Sequence, residues 1–217
     1  MEPTLVLIGI SLRSAKLSVR ERFLMDSAQK SAALSTLVRS DAVDEVIVLS
    51  TCNRTEFLVW TQDASEAANS VLRFLAHSSN LTLAEWSNFY RLVGDEAVAH
   101  VLRVSSGLDS AVFGESEAAS STLSAWQQAQ RASTTGRFLD FIERISSDGS
   151  TRSFITQFGP ERNPDHSPVF CDRLFWRLLS RLQLMHVPLV SVAVVPSRTG
   201  RTPMAQYREQ TRPSSSV

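Results

Sequence analysis

The sequence predicts an α+β fold: a ferredoxin-like sandwich of strands and helices with a helical extension, followed by an irregular tail. Three observations predict it. Short β-rich apolar runs alternate with helical stretches as far as Val93, only helical periodicity follows from Asp95, and the composition changes near residue 159.

The elements follow in order. Thr4 to Ile10 is an apolar run bounded by Pro3 and Ser11, which suits a buried strand. Ser18 to Met25 reads as a short helix. Ser27 to Arg39 reads as a second, with Ala28, Ala32, Leu34 and Val38 as its apolar face. Glu45 to Leu49 is a strand that gives way to Ser50-Thr51-Cys52-Asn53, and Glu56 to Trp60 resumes in β-rich residues. Ser65 to His77 is an amphipathic helix with Ala68, Val71, Leu72 and Leu75 on one side, and Phe89 to Val93 is a further strand. Asp95 is the expected N-cap of a helix whose apolar period runs through Ala97, Val98, Val101, Leu102 and Ser105. Glu117 to Thr134 reads as a long helix stopped by Gly136, and Phe138 to Ile145 as another.

Length and charge narrow the function. A chain of 217 residues suits one domain with an appendage. Its 22 basic and 22 acidic side chains cancel, so no global basic field holds nucleic acid without specific contacts. The two cysteines, Cys52 and Cys171, suggest neither a disulfide framework nor a zinc site. The start, Met1-Glu2-Pro3, lacks a basic n-region, and no apolar run approaches the roughly 20 residues that span a bilayer. The expected home is a reducing cytoplasm, away from membranes.

Of the eight prolines only Pro3 precedes residue 159, both lysines precede it, and every basic residue from 160 onward is arginine. Residues 1–156 are therefore expected to form the domain, and 157–217 an unrelated, partly disordered tail. In the tail, Arg173 to Leu184 suits an amphipathic helix, Pro188 to Val195 a strand, and Ser197 to Val217 disorder. The expectation for this segment is translation in a wrong frame, with a genuine short paralogue as the competing account. No Gly-x-Gly-x-x-Gly occurs, so the chain itself shows no dinucleotide seat.

Two residues stand out chemically. Cys52 sits where an apolar strand turns polar, and Arg54 two residues on brings a positive charge that favours a thiolate or binds a carboxylate. Taken alone, the cysteine fits a small packed core residue better than a reactive one. His100 lies on a helix ahead of Ser106-Gly107-Leu108-Asp109-Ser110, where it suits a base or a polarising group. Alone it fits a surface or satisfied core histidine better.

Gly9-Ile10-Ser11, Val19-Arg20-Glu21-Arg22, Ser50-Thr51-Cys52-Asn53-Arg54-Thr55-Glu56, His100, Ser106-Gly107-Leu108-Asp109-Ser110 and Gly114-Glu115 occur in that order. Together they resemble the N-terminal catalytic domain of glutamyl-tRNA reductase over residues 4 to about 156. The resemblance reverses the bland readings of Cys52 and His100. It implies NADPH-dependent reduction of glutamyl-tRNA to glutamate-1-semialdehyde, in tetrapyrrole synthesis. It further implies a Cys52 thioester, His100 acting near the ester, and Thr51, Asn53, Arg54, Ser110, Glu115, Ser116, Glu117 and Ser121 as substrate contacts. Glutamyl-tRNA and the downstream semialdehyde aminotransferase are the implied partners. The family's NADPH-binding and dimerisation domains have no counterpart here, so a monomer is expected.

The chain also departs from the family. The family's His-Arg-Thr-Ala-Pro is Leu12-Arg13-Ser14-Ala15-Lys16, and its Gly-Glu-Pro-Gln-Ile-Leu-Gly-Gln is Gly114-Glu115-Ser116-Glu117-Ala118-Ala119-Ser120-Ser121. Glu117 replaces an amide that donates hydrogen bonds with a carboxylate that cannot.

Overall fold

The structure, a computed structural model, describes residues 3–110 and 116–147, apart from the Ser116 side chain. The expectations for Glu115, for the Ser116 side chain and for the tail from 148 lie outside the described residues. Four strands and seven α-helices follow in the order β1 (Thr4–Ser11), α1 (Leu17–Arg20), α2 (Ser27–Leu37), β2 (Glu45–Thr51), β3 (Arg54–Thr61), α3 (Ala64–Ser79), α4 (Leu83–Trp86), β4 (Tyr90–Val93), α5 (Asp95–Ser105), α6 (Ser116–Arg131) and α7 (Arg137–Ser147). A 3-10 turn, Glu21–Phe23, follows α1.

The sheet order is β2-β3-β1-β4, and every neighbouring pair is antiparallel. This is the ferredoxin-like arrangement expected of an α+β chain. Burial along β1 does not alternate: Leu5 through Ser11 are all buried. A strand buried on both sides needs cover on both faces. On β3, Thr55 and Phe57 point one way, to the Phe23 carbonyl and the Phe74 ring of α3. Glu56, between them, points the other way and meets His100 of α5. The helical extension therefore roofs the face opposite α3.

That roof is fastened at the edge of the sheet. The Val46 N–H donates to the Thr134 carbonyl at 2.7 Å, and the Thr134 hydroxyl returns a bond to the Val46 carbonyl at 2.9 Å. Glu45, the first residue of β2, accepts from the N–H groups of Gly136, Phe138 and Leu139 at 2.9, 3.1 and 2.8 Å. One buried carboxylate thus satisfies three of the orphan donors at the start of α7. Trp60 stacks on Phe138 beside it, with ring centroids 3.5 Å apart.

Several expected boundaries shift, each for a physical reason. The helix expected from Ser18 to Met25 ends at Arg20 and tightens into the 3-10 turn, which buries Phe23 before the chain extends at Leu24. The apolar face of α2 is Ala33, Leu34 and Leu37; Ala28 and Ala32 are exposed, and Asp26 with Gln29 forms a capping box. Asp95 is not the N-cap of α5. Gly94 takes that place at φ 61°, and Asp95 lies in the first turn, where its charge complements the helix dipole. Gly136 does not stop α6, which ends at Arg131; the left-handed residue beyond it is Ser133 at φ 55°. Helix α4 was not expected, although Thr82 and Glu85 form its capping box. Among the described residues no helix is long and apolar enough to cross a membrane, and no cluster of side chains suits a metal ion.

Candidate active site

Thr51 pairs with Arg54 across the β2–β3 hairpin, so Cys52 and Asn53 form its two-residue loop. Neither has a positive φ, so the loop is not the type I′ turn that two-residue hairpins favour. Outside contacts hold it instead. The Asn53 carbonyl accepts from the Leu12 N–H at 2.9 Å, the Asn53 N–H donates to the Thr51 hydroxyl at 3.3 Å, and Arg20 reaches the Cys52 carbonyl at 3.5 Å. The Cys52 side chain is exposed, and its thiol has no hydrogen-bond partner among the described residues. The packed-core alternative is thereby removed.

The loop opens onto a cleft walled by Thr51, Cys52, Asn53 and Arg54 on one side and by Ser110, Glu117 and Ser121 on the other. Seven of the residues singled out in the sequence therefore share one cavity. Leu49, Val104 and Ala118 add apolar lining. Glu117 is exposed in the first turn of α6. His100 is not among these walls. It lies behind Arg54, 17% exposed, with its Nε2 on Glu56.

Behind the cleft is a network of buried charge. Arg54, 4% exposed, donates through Nη1 to Glu56 Oε1 at 3.0 Å. Through Nη2 it donates to the Asp109 carbonyl at 2.5 Å and to the Asp109 carboxylate at 3.0 Å. Asp109 also accepts from Arg13 Nε at 2.9 Å. Glu56 Oε1 further accepts from the Tyr90 hydroxyl and lies 2.7 Å from His100 Nε2. Burial alone would raise the Glu56 carboxyl, but the His100 ring, the Arg54 guanidinium and the Tyr90 hydroxyl outweigh it and hold it at about 2. Burial and the Glu56 carboxylate push the Tyr90 phenol up. Burial opposes the Arg54 charge as well, yet Glu56 and Asp109 outweigh burial and raise its pKa.

This arrangement revises the chemistry expected of Arg54. Its fork is held by two carboxylates of its own chain, so both of its terminal nitrogens are already engaged. Three residues of the network had been given no role in the sequence: Glu56, Tyr90 and Asp109. Strand alternation was the available signal for Glu56, because it follows Arg54 by two positions and so shares its face. Gly9 carries the same information from β1. It is paired with Glu56, and a Cβ there would stand 2.6 Å from Glu56 Cγ and 3.1 Å from the Tyr90 ring. Arg20 is a further unassigned neighbour; its Nε is buried with no hydrogen-bond partner.

Comparison with known proteins locates this arrangement. The family described as "Glutamyl-tRNAGlu reductase, N-terminal domain" matches residues 8–147. The glutamyl-tRNA reductase of Desulfatibacillum aliphaticivorans is 35% identical over 137 residues, which are 63% of this chain and 32% of that protein. That of Saccharophagus degradans is 36% identical over 146 residues, covering 66% of this chain and 34% of the relative. That of Carboxydothermus hydrogenoformans is 32% identical over 163 residues, covering 74% and 36%. The chain thus spans about a third of the length of these curated relatives. Among solved structures, the glutamyl-tRNA reductase from Methanopyrus kandleri superposes with a TM-score of 0.56 at 24% identity, over 69% of this chain and 34% of that one. This last likeness speaks to the fold alone.

Proposed function

The chain belongs to the glutamyl-tRNA reductase family through its N-terminal domain, and from that premise we propose that its cleft takes the glutamyl group of glutamyl-tRNA onto Cys52. The observation that carries the proposal is the exposed thiol at the hairpin tip, facing Ser110, Glu117 and Ser121 across one cavity. The Cys52 sulfur bonds to the glutamyl carbonyl carbon, and the ester C–O bond breaks. The thiol proton is lost to solvent, and the departing ribose oxygen takes one from solvent. His100, behind Arg54, serves by holding Glu56. Thr51, Asn53, Ser110 and Ser121 supply hydroxyl and amide groups for orienting the acyl group; Glu115 and Ser116 are proposed as contacts on the family resemblance alone. Arg54 serves by fixing Glu56 and Asp109, so it shapes the cleft.

In the whole reductase, NADPH supplies the hydride that turns the thioester into glutamate-1-semialdehyde, which an aminotransferase then consumes. The described residues do not fit that cofactor. An antiparallel sheet without a Gly-rich turn entering a helix offers no seat for its pyrophosphate. No hydride step is therefore assigned to any residue here. We place residues 1–156 in the catalytic-like domain, 157–217 outside it, and the protein in the cytoplasm as a monomer.

Two observations favour a second reading, a module that binds glutamyl-tRNA without reducing it. Arg54 is already engaged by Glu56 and Asp109, and Glu117 places a carboxylate where a glutamyl side chain would bring another. Following release of radiolabelled glutamate from glutamyl-tRNA separates the two. The first reading expects slow release in the full chain, as water attacks the thioester carbonyl and returns the Cys52 thiol, and its loss in Cys52→Ser; binding without release supports the second reading, and release that survives Cys52→Ser removes the covalent route.

A further inference from the structure

We infer that Glu56 is a positioning residue that fixes His100 as its Nε2–H tautomer, leaving the lone pair on Nδ1. The tautomer stands on geometry alone, independently of the acyl transfer proposed above. Glu56 is 1% exposed and acceptor-only while ionised, so the group 2.7 Å away at His100 Nε2 must be a donor. A competing instruction comes from Arg54, whose Nη1 lies 3.5 Å from the same nitrogen and would favour a lone pair there. The shorter distance and the full negative charge decide for the proton.

The His100 side chain is 17% exposed, so the ring is not sealed from solvent. The charged or titratable groups joined to Nε2 are Glu56 and Arg54 from β3, with Tyr90 of β4 on the same carboxylate and Asp109 and Arg13 behind Arg54. The lone pair is left on Nδ1, and Nε2 keeps its proton, held by Glu56. Tyr90 and Gly9 belong to the same device. Tyr90 donates to the same oxygen, and Gly9 leaves the space in which Glu56 and the phenol meet.

The test is nitrogen-15 spectroscopy of histidine-labelled full chain, above the pH at which the rings are charged. Of the four histidines, the signal of His100 is identified by its loss in His100→Asn. The inference expects the wild-type His100 ring to be Nε2–H in the great majority of molecules. It expects Glu56→Gln, which removes the charge and leaves Arg54 unopposed, to move the population toward Nδ1–H. A wild-type ring that is mainly Nδ1–H overturns the inference without any variant, and so does a Glu56→Gln ring that stays wholly Nε2–H. Acylation of Cys52 is measured separately on the same sample. If the thiol takes no acyl group while the ring is Nε2–H, the proposed function fails and the tautomer assignment stands.

Discussion

Arg54 Nη2 donates to both the main-chain carbonyl and the carboxylate of Asp109, at 2.5 and 3.0 Å, and so ties the strand after Cys52 to the turn that carries Ser110. The two walls of the cleft come from segments 55 residues apart, and this bond joins them. A buried guanidinium loses most of its hydration and is tolerated only with full pairing.

Asp109→Asn is expected to destabilise the fold by about 1–3 kcal/mol in urea denaturation, because it removes the charge facing a desolvated Arg54. Arg13, whose side chain is 59% exposed, pairs with the same carboxylate from the solvent side. Arg13→Ala is expected to cost less than about 1 kcal/mol. Equal costs for the two variants would contradict the assignment of Arg54 as the buried partner.

Glu56 makes stability depend on acid. Its carboxyl, held at about 2 against an ordinary 4.5, contributes stability that is fully present above pH 5. That contribution is lost as the pH falls through the range from 4.5 toward 2, and it amounts to about 3 kcal/mol. Unfolding free energies measured between pH 7 and pH 3 should therefore fall more steeply for wild type than for Glu56→Gln. Parallel curves would mean that the carboxylate gains nothing from its three donors.

Gly9→Ala tests the space around that carboxylate. The added Cβ would stand 2.6 Å from Glu56 Cγ, and Glu56 cannot swing aside without leaving its donors. A loss of about 1–3 kcal/mol is expected in thermal or chemical unfolding. A neutral result would show that Glu56 has freedom the network denies it.

Much of the fold was legible because its signals are local. The apolar runs of β1 and β2 and the amphipathic period of α3 each lie within a short stretch of chain. Helix ends were less legible, since they are decided by distant partners: α6 stops where Thr134 joins the edge of β2, and α7 starts where Glu45 supplies a carboxylate. The cleft itself emerged from residues at motif positions, Cys52 and Ser110 among them. The charge network behind it did not. His100 and Glu56 are 44 residues apart, and Tyr90 and Glu56 are 34 apart, so only the strand pairing and the packing of α5 bring them together. The sequence suggests Arg54 as a partner for a thiolate or a substrate carboxylate because nothing near it in sequence reveals that Asp109 folds back onto it.

The most direct measurement is intact-protein mass spectrometry of the full chain, quenched in acid after incubation with glutamyl-tRNA and followed by peptide mapping. The account predicts one glutamyl group on the peptide that contains Cys52, released by neutral hydroxylamine as a thioester should be, and absent from Cys52→Ala. No adduct on the wild-type chain, or an adduct that persists in Cys52→Ala, would contradict it.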